Sequence, residues 1–138
     1  MRSHRDRLER EPFHRGIDAR ADRHAEATRA AVRAWGVEVL CLDEREYSAA
    51  LTAVVVPDGA DADEVRRMIL ERFDMSLGAG LGKLAGRVFR VGHLGDFNYL
   101  MLAGTLCGVE MGLRLTGVQV GAGVDAAMER LTLEPVAV

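Results

Sequence analysis

Two basic residues and a run of glycines stand out as the places where this sequence could do chemistry. Arg90 lies in RVFRV, residues 87–91, where strand alternation puts Phe89 and Val91 on one face and Val88 and Arg90 on the other. A planar guanidinium in the middle of an apolar strand must end in water or on a carboxylate. Arg90 is therefore read either as a surface arginine paired to Asp or Glu, or as a group that binds a ligand carboxylate. Lys83 is the single lysine of the chain, so any lysine chemistry must use it. It sits in LGAGLGKLAG, residues 77–86, whose four glycines at 78, 80, 82 and 86 predict a flexible loop long enough to be functional.

Simple phosphate motifs do not fit this loop. A Walker A would need glycine five residues before Gly82 and Ser or Thr after the lysine, where the chain has Leu77 and Leu84. Gly80-x-Gly82-x-x-Ala85 matches a degenerate dinucleotide fingerprint, but the sequence predicts no strand before it and a strand rather than a helix after it. The histidines at 4, 14, 24 and 93 form no ligand pairs, which argues against a metal site, and His93 reads as a hydrogen-bonded turn residue. There is no GxSxG. Cys41 and Cys107 lack CxxC spacing and are read as reduced and buried.

The elements that must position these groups can be read from periodicity. Residues 1–20 are half charged with mixed signs and contain Pro12 and Gly16, and are read as a frayed or disordered arm. A helix is expected from Asp22, with Ala25, Thr28, Val32 and Trp35 on one face and Gly36 as its left-handed cap. Val37 to Leu42 and Leu51 to Val56 read as antiparallel strands. A second helix begins at Asp61, which can cap it with Glu64 completing a capping-box-like pair. Its core stripe is Val65, Met68, Ile69 and Phe73, with Arg66, Arg67 and Glu71 facing water.

After the strand holding Arg90, Gly92 to Gly95 should turn the chain and Asp96 should cap a long apolar helix ending near Thr116. Gly104, Gly108 and Gly112 form a ridge on that helix that invites another backbone to approach closely. A short helix near Val124 to Leu131 precedes a tail over 133–138. The expected fold is α+β: a small mixed or antiparallel sheet covered on one face by helices, its other face left to water or a partner.

Composition narrows the classes of function. The 138 residues, 49% hydrophobic, suit one compact domain, and 18 Lys plus Arg against 21 Asp plus Glu give a net charge of −3. That balance offers no pull toward nucleic acid or acidic lipid. The N-terminus has no apolar signal core, and the most apolar stretch, Phe97 to Leu113, is interrupted by Asn98 and Glu110, so no membrane is expected and a cytoplasmic location is.

The order of motifs, from ADRHAEATRAAVRAWG through RFDMSLGAGLGKLAG to VFRVGHLGD, resembles the C-terminal domain of class V pyridoxal-phosphate aminotransferases, in the serine-glyoxylate (alanine-glyoxylate) aminotransferase branch. The resemblance covers roughly residues 20 to 132 and implies the C-terminal small domain of a fold-type I enzyme. It implies that Arg90 clamps the substrate α-carboxylate, and that Gly78, Gly80, Gly82 and Lys83 belong to a mobile loop at the mouth of the active site. It implies pyridoxal phosphate as cofactor, although the Schiff-base lysine and the groups that hold the cofactor precede this region in the family and are not found in this sequence. The implied reaction is amino transfer from an amino acid to glyoxylate, and the implied partner is a polypeptide with the cofactor domain or a second copy in a homodimer. The chain then reads as a separated C-terminal piece, inactive alone, with residues 21–132 as its domain. The rival reading is a noncatalytic small-ligand-binding or interaction module that keeps the fold.

Overall fold

The computed structural model describes residues 12–40, 51–92 and 98–133. Four α-helices are found among them: α1 Pro12–Trp35, α2 Ala62–Phe73, α3 Tyr99–Leu115 and α4 Gly123–Leu133. The strands are β1 Glu38–Val39, β2 Leu51–Val55, β3 Gly78–Ala79 and β4 Val88–Gly92, joined in the order β1-β2-β4-β3 with every pairing antiparallel. This is the expected α+β class, with the antiparallel alternative realised.

The helices start and stop where backbone chemistry allows. α1 begins at Pro12, ten residues before the expected Asp22, so the predicted arm is helical over 12–20. Proline at the first helical position costs nothing, because the N–H it lacks would have had no partner there. Residues 1–11, the rest of that arm, lie outside the described residues, as does the tail from 134. Gly36 closes α1 at φ +87°, as expected.

α2 is capped by Asp61, whose carboxylate accepts the Asp63 N–H at 2.9 Å. The capping box is only half formed, since Glu64 turns outward to Arg67. α3 is capped by Asn98, which accepts the Met101 N–H at 2.8 Å, instead of by Asp96. The N–H three residues into the helix is the one a cap side chain reaches. The turn at 93–95, with His93, Asp96 and Cys41, falls outside the described residues.

The core lies between one sheet face and the helices. Val54, Phe89 and Val91 of the sheet are buried together with Val32, Trp35, Ile69, Leu102, Leu106 and Leu113. α1 packs on α4 and α2 on α3. Trp35 anchors α1 as expected. Its indole N–H donates to Glu110 of α3 at 2.7 Å, and the same carboxylate oxygen accepts the N–H groups of Gly123 and Val124 at the start of α4, at 2.9 and 3.2 Å.

The expected glycine ridge on α3 is only partly used, and by side chains. A Cβ on Gly112 would meet Ile69 Cγ1 at 2.3 Å and one on Gly108 would meet Met75 Cε at 2.8 Å, whereas one on Gly104 would meet nothing within 4 Å. Cys107 is free and half-buried instead of buried. Phe73, assigned to the core stripe of α2, is 38% exposed at the helix end. No helix among the described residues is long and apolar enough to cross a membrane.

Candidate functional site

β4 is the inner strand between β2 and β3, and this fixes Arg90 in place. In register, Phe89 faces Val54 and Ala79, and Arg90 faces Ala53 and Gly78. Successive side chains alternate, so Phe89 and Val91 enter the helix-covered core while Arg90 stands on the opposite face, as expected. Val88 shares the face of Arg90 yet is only 1% exposed, so the outward-looking valine of the sequence reading is a shielded one. An inner strand has neighbours on both flanks, and Val55 lies beside Val88 in the ladder.

Among the described residues, the Arg90 guanidinium has no ion-pair partner of the kind a surface arginine would have. Its Nε is buried without a hydrogen-bond partner, and among the described residues no carboxylate pairs with the group. That weighs against the surface-pair reading. A buried N–H left without an acceptor costs about 1–3 kcal/mol, so the fold carries this donor at a disadvantage unless something external accepts from it.

The glycine stretch before β4 is more ordered than the sequence suggests. Its first residues, Gly78 and Ala79, form the edge strand β3 against Arg90 and Phe89, and Gly80 continues the ladder by donating its N–H to the Val88 carbonyl at 3.1 Å. Glycine's low strand propensity concealed this, because pairing with β4 supplies what local preference does not. Lys83 lies on a single 3-10 turn, Gly82–Leu84, and is exposed. A two-residue strand thus precedes the Gly80-x-Gly82 pattern, contrary to expectation, but the helix that a dinucleotide fingerprint requires is still lacking, and β4 follows.

Both ends of this segment are tied to α2. The Ala62 N–H donates to the Gly86 carbonyl at 2.8 Å, and Arg66 Nε donates to the Leu77 carbonyl at 2.9 Å. Arg66 was expected to face water. Its side chain is instead only 29% exposed and is steadied by Asp63 at 3.2 Å. No sequence signal could have found this, because the acceptor is a backbone carbonyl eleven residues further on.

His24, placed by sequence beside the arm, is also buried, with its ring edge-on to Tyr99 of α3 at 5.7 Å. The structure thus brings Gly78 to Arg90 and leaves Lys83 at the exposed turn of the same segment.

No family model matches the chain. It is 42% identical over 130 residues to the serine-glyoxylate aminotransferase of Methylorubrum extorquens, covering 91% of this chain and 32% of that protein. It is 47% identical over 120 residues to the serine-glyoxylate aminotransferase of Arabidopsis thaliana, covering 83% of this chain and 30% of that protein. Among solved structures, the pyridoxamine-pyruvate aminotransferase of Mesorhizobium loti superposes with a TM-score of 0.82 at 26% identity, over 88% of this chain and 32% of that one. The chain matches the C-terminal part of class V aminotransferases.

It spans about 30% of the length of the curated relatives it matches. Its sheet sets Arg90 opposite Gly78 in the β3–β4 ladder, on the face away from Phe89 and Val91 and the core they enter.

Proposed function

We propose that this chain is the C-terminal portion of a serine-glyoxylate-type aminotransferase, and that Arg90 supplies the clamp for the substrate α-carboxylate in amino transfer from an amino acid to glyoxylate. The observation that carries this reading is the buried, unpartnered Nε of Arg90 on an inner strand. A guanidinium presents two parallel N–H groups to a carboxylate, and a strand held on both flanks keeps that fork in one orientation without reorganisation when substrate arrives. Arg90 would bind and orient the amino acid and then the 2-oxo acid. The glycine segment, with Gly80 buried and Gly82 and Lys83 exposed, would border the entrance.

Pyridoxal phosphate is the cofactor implied by the relatives, and it supplies the electron sink for the chemistry at the α-carbon. The lysine of this chain does not fit a cofactor site. Lys83 is exposed on its turn, where nothing among the described residues shields its amine. In this reading the cofactor's lysine and phosphate-binding groups reside outside this chain, on a cofactor-domain polypeptide or across a homodimer, in the cytoplasm.

The test is a chimera in which this chain replaces the matching portion of the Methylorubrum extorquens relative. Arg90→Ala should lower kcat/KM for serine and glyoxylate by about 10- to 150-fold, the equivalent of about 1.5–3 kcal/mol for a charge-assisted contact. Arg90→Lys should recover only part, because a point charge cannot make the bidentate pair. Equal kinetics for the three proteins would remove Arg90 from the site. A folded, cofactor-loaded chimera with no turnover would favour the noncatalytic module.

A further inference from the structure

We infer that Arg66 and Gly78 are positioning residues for the Arg90 guanidinium, with Arg66 holding the edge strand β3 in place through the Leu77 carbonyl and Gly78 leaving the space that the guanidinium occupies. The inference rests on the carboxylate-clamp reading of Arg90 and extends it to how the clamp is kept in its pose.

The geometry runs in one continuous chain. Arg66 projects from α2, a helix fixed to the core by Val65 and Ile69, both fully buried. Its NH1 is steadied by Asp63 at 3.2 Å, which leaves Nε to donate to the Leu77 carbonyl at 2.9 Å. Leu77 is itself buried, and the next residue, Gly78, lies opposite Arg90 in the β3–β4 ladder. A Cβ on Gly78 would lie 3.1 Å from both Cβ and Nε of Arg90 and 3.4 Å from NH2. Those contacts are tight enough that the Arg90 side chain would have to give by a few tenths of an ångström.

β3 is only two residues long, and an edge strand of that length does not hold itself in place. The Arg66 hydrogen bond at its N-terminal side and the Gly80 to Val88 hydrogen bond at its C-terminal side bracket it. Gly78 has an ordinary backbone conformation, since it is absent from the residues with positive φ, so space and not chain flexibility explains glycine there.

The experiment has two readouts. In the nitrogen-15-labelled chain, solvent exchange of the Arg90 Nε–H and of the Gly80 amide is followed by NMR. In the aminotransferase chimera, KM and kcat for serine and glyoxylate are measured. Arg66→Met keeps the apolar stem and removes the donor, and should speed both exchange rates at least fivefold. It should also raise KM five- to tenfold while kcat and the thermal midpoint stay close to the parent. Arg66→Lys, which can still donate to Leu77, should recover most of the loss. Asp63→Asn, which still offers an oxygen to NH1, should stay within twofold.

Gly78→Ala should move the Arg90 Nε resonance and raise KM about tenfold, and it carries the test alone if Arg66→Met does not fold. If Arg90→Ala impairs the chimera while Arg66→Met and Gly78→Ala leave exchange and KM unchanged, the positioning inference fails and the clamp stands. If Arg90→Ala is kinetically silent, the clamp itself fails, and exchange at Arg90 still reports whether Arg66 and Gly78 set its pose. A parallel fall in kcat and thermal midpoint without a change in exchange would make both residues structural only and overturn the inference.

Discussion

Two partly buried charged side chains of this fold meet opposite surroundings. Between the helices, Glu110 is 17% exposed, and its carboxylate accepts from the Trp35 indole and from two backbone N–H groups at the start of α4, with Arg114 3.6 Å away. On the sheet face opposite Phe89 and Val91, Arg90 has its Nε buried and nothing among the described residues to accept from it. Glu110 sits on the side that builds the core and is saturated by it, joining α1, α3 and the first turn of α4 through one oxygen. Arg90 is left open, an arrangement that evolution of a fold for its own sake has no reason to keep, given the cost of an unmet buried donor. The contrast sets a charge whose partners the structure supplies beside one that, under the proposed clamp, would meet its partner in a ligand.

The sharpest way to break that comparison is on β4 itself, where neighbouring residues belong to the two sides. Phe89→Ala removes a fully buried ring from the core and should destabilise the chain by about 3–5 kcal/mol. Arg90→Ala, one residue away, should be neutral or slightly stabilising, by up to about 1 kcal/mol, because an unpartnered donor leaves with it. Urea unfolding of the two variants at pH 7 measures both. A loss at Arg90 comparable to that at Phe89 would mean the arginine serves the fold.

Sequence reading reached one side of this comparison better than the other, and the reason is local. The face assignment of Arg90 followed from alternation, the Gly36 and Asp61 caps from backbone requirements, and the second and last helices from periodicity, all of them properties of adjacent residues. The missed features depend on distant partners or on rules read too strictly. β3 exists because Gly78 and Ala79 pair with β4, and Arg66 is drawn inward by a carbonyl across a loop. Pro12 was placed in a frayed arm where it opens a helix, and Asp96 was expected to cap the helix that Asn98 caps. The family resemblance implied a substrate role for Arg90 more firmly than its strand could, and the orphaned Nε is a separate physical argument for the proposed clamp.

A second test sharpens the distinction between filled and unfilled sides on a single helix. Gly112 and Gly104 stand eight residues apart on α3, but a Cβ at 112 runs into Ile69 at 2.3 Å while one at 104 meets open space. Gly112→Ala should therefore cost about 1–3 kcal/mol through overpacking against α2. Gly104→Ala should gain about 0.5–1 kcal/mol, because alanine restricts the unfolded chain and suits a helix interior. Thermal melts that show opposite signs would confirm which stretch of α3 is committed to the core. Equal losses would mean that the face at Gly104 is covered as well.

The smallest expected effect tests the saturated charge. Burial pushes the Glu110 carboxyl up, but the hydrogen bonds from Trp35, Val124 and Gly123, helped by Arg114, outweigh it and hold its pKa below the ordinary carboxylate value. A carboxyl whose folded pKa is depressed contributes stability that is full above its unfolded pKa and is lost as pH falls through the folded one. Glu110→Gln keeps an acceptor oxygen and removes the charge, so it should cost about 1 kcal/mol at pH 7, the difference between charged and neutral acceptors. That gap should narrow as pH falls below about 4, where the parent carboxyl also becomes neutral. Arg90→Gln, by contrast, should show no narrowing over the same range, since a guanidinium keeps its charge throughout. Urea midpoints for the parent and both variants at pH 7 and pH 3 supply the comparison. A gap for Glu110→Gln that does not change with pH would show that shape, and not charge, is what the three donors around Glu110 require.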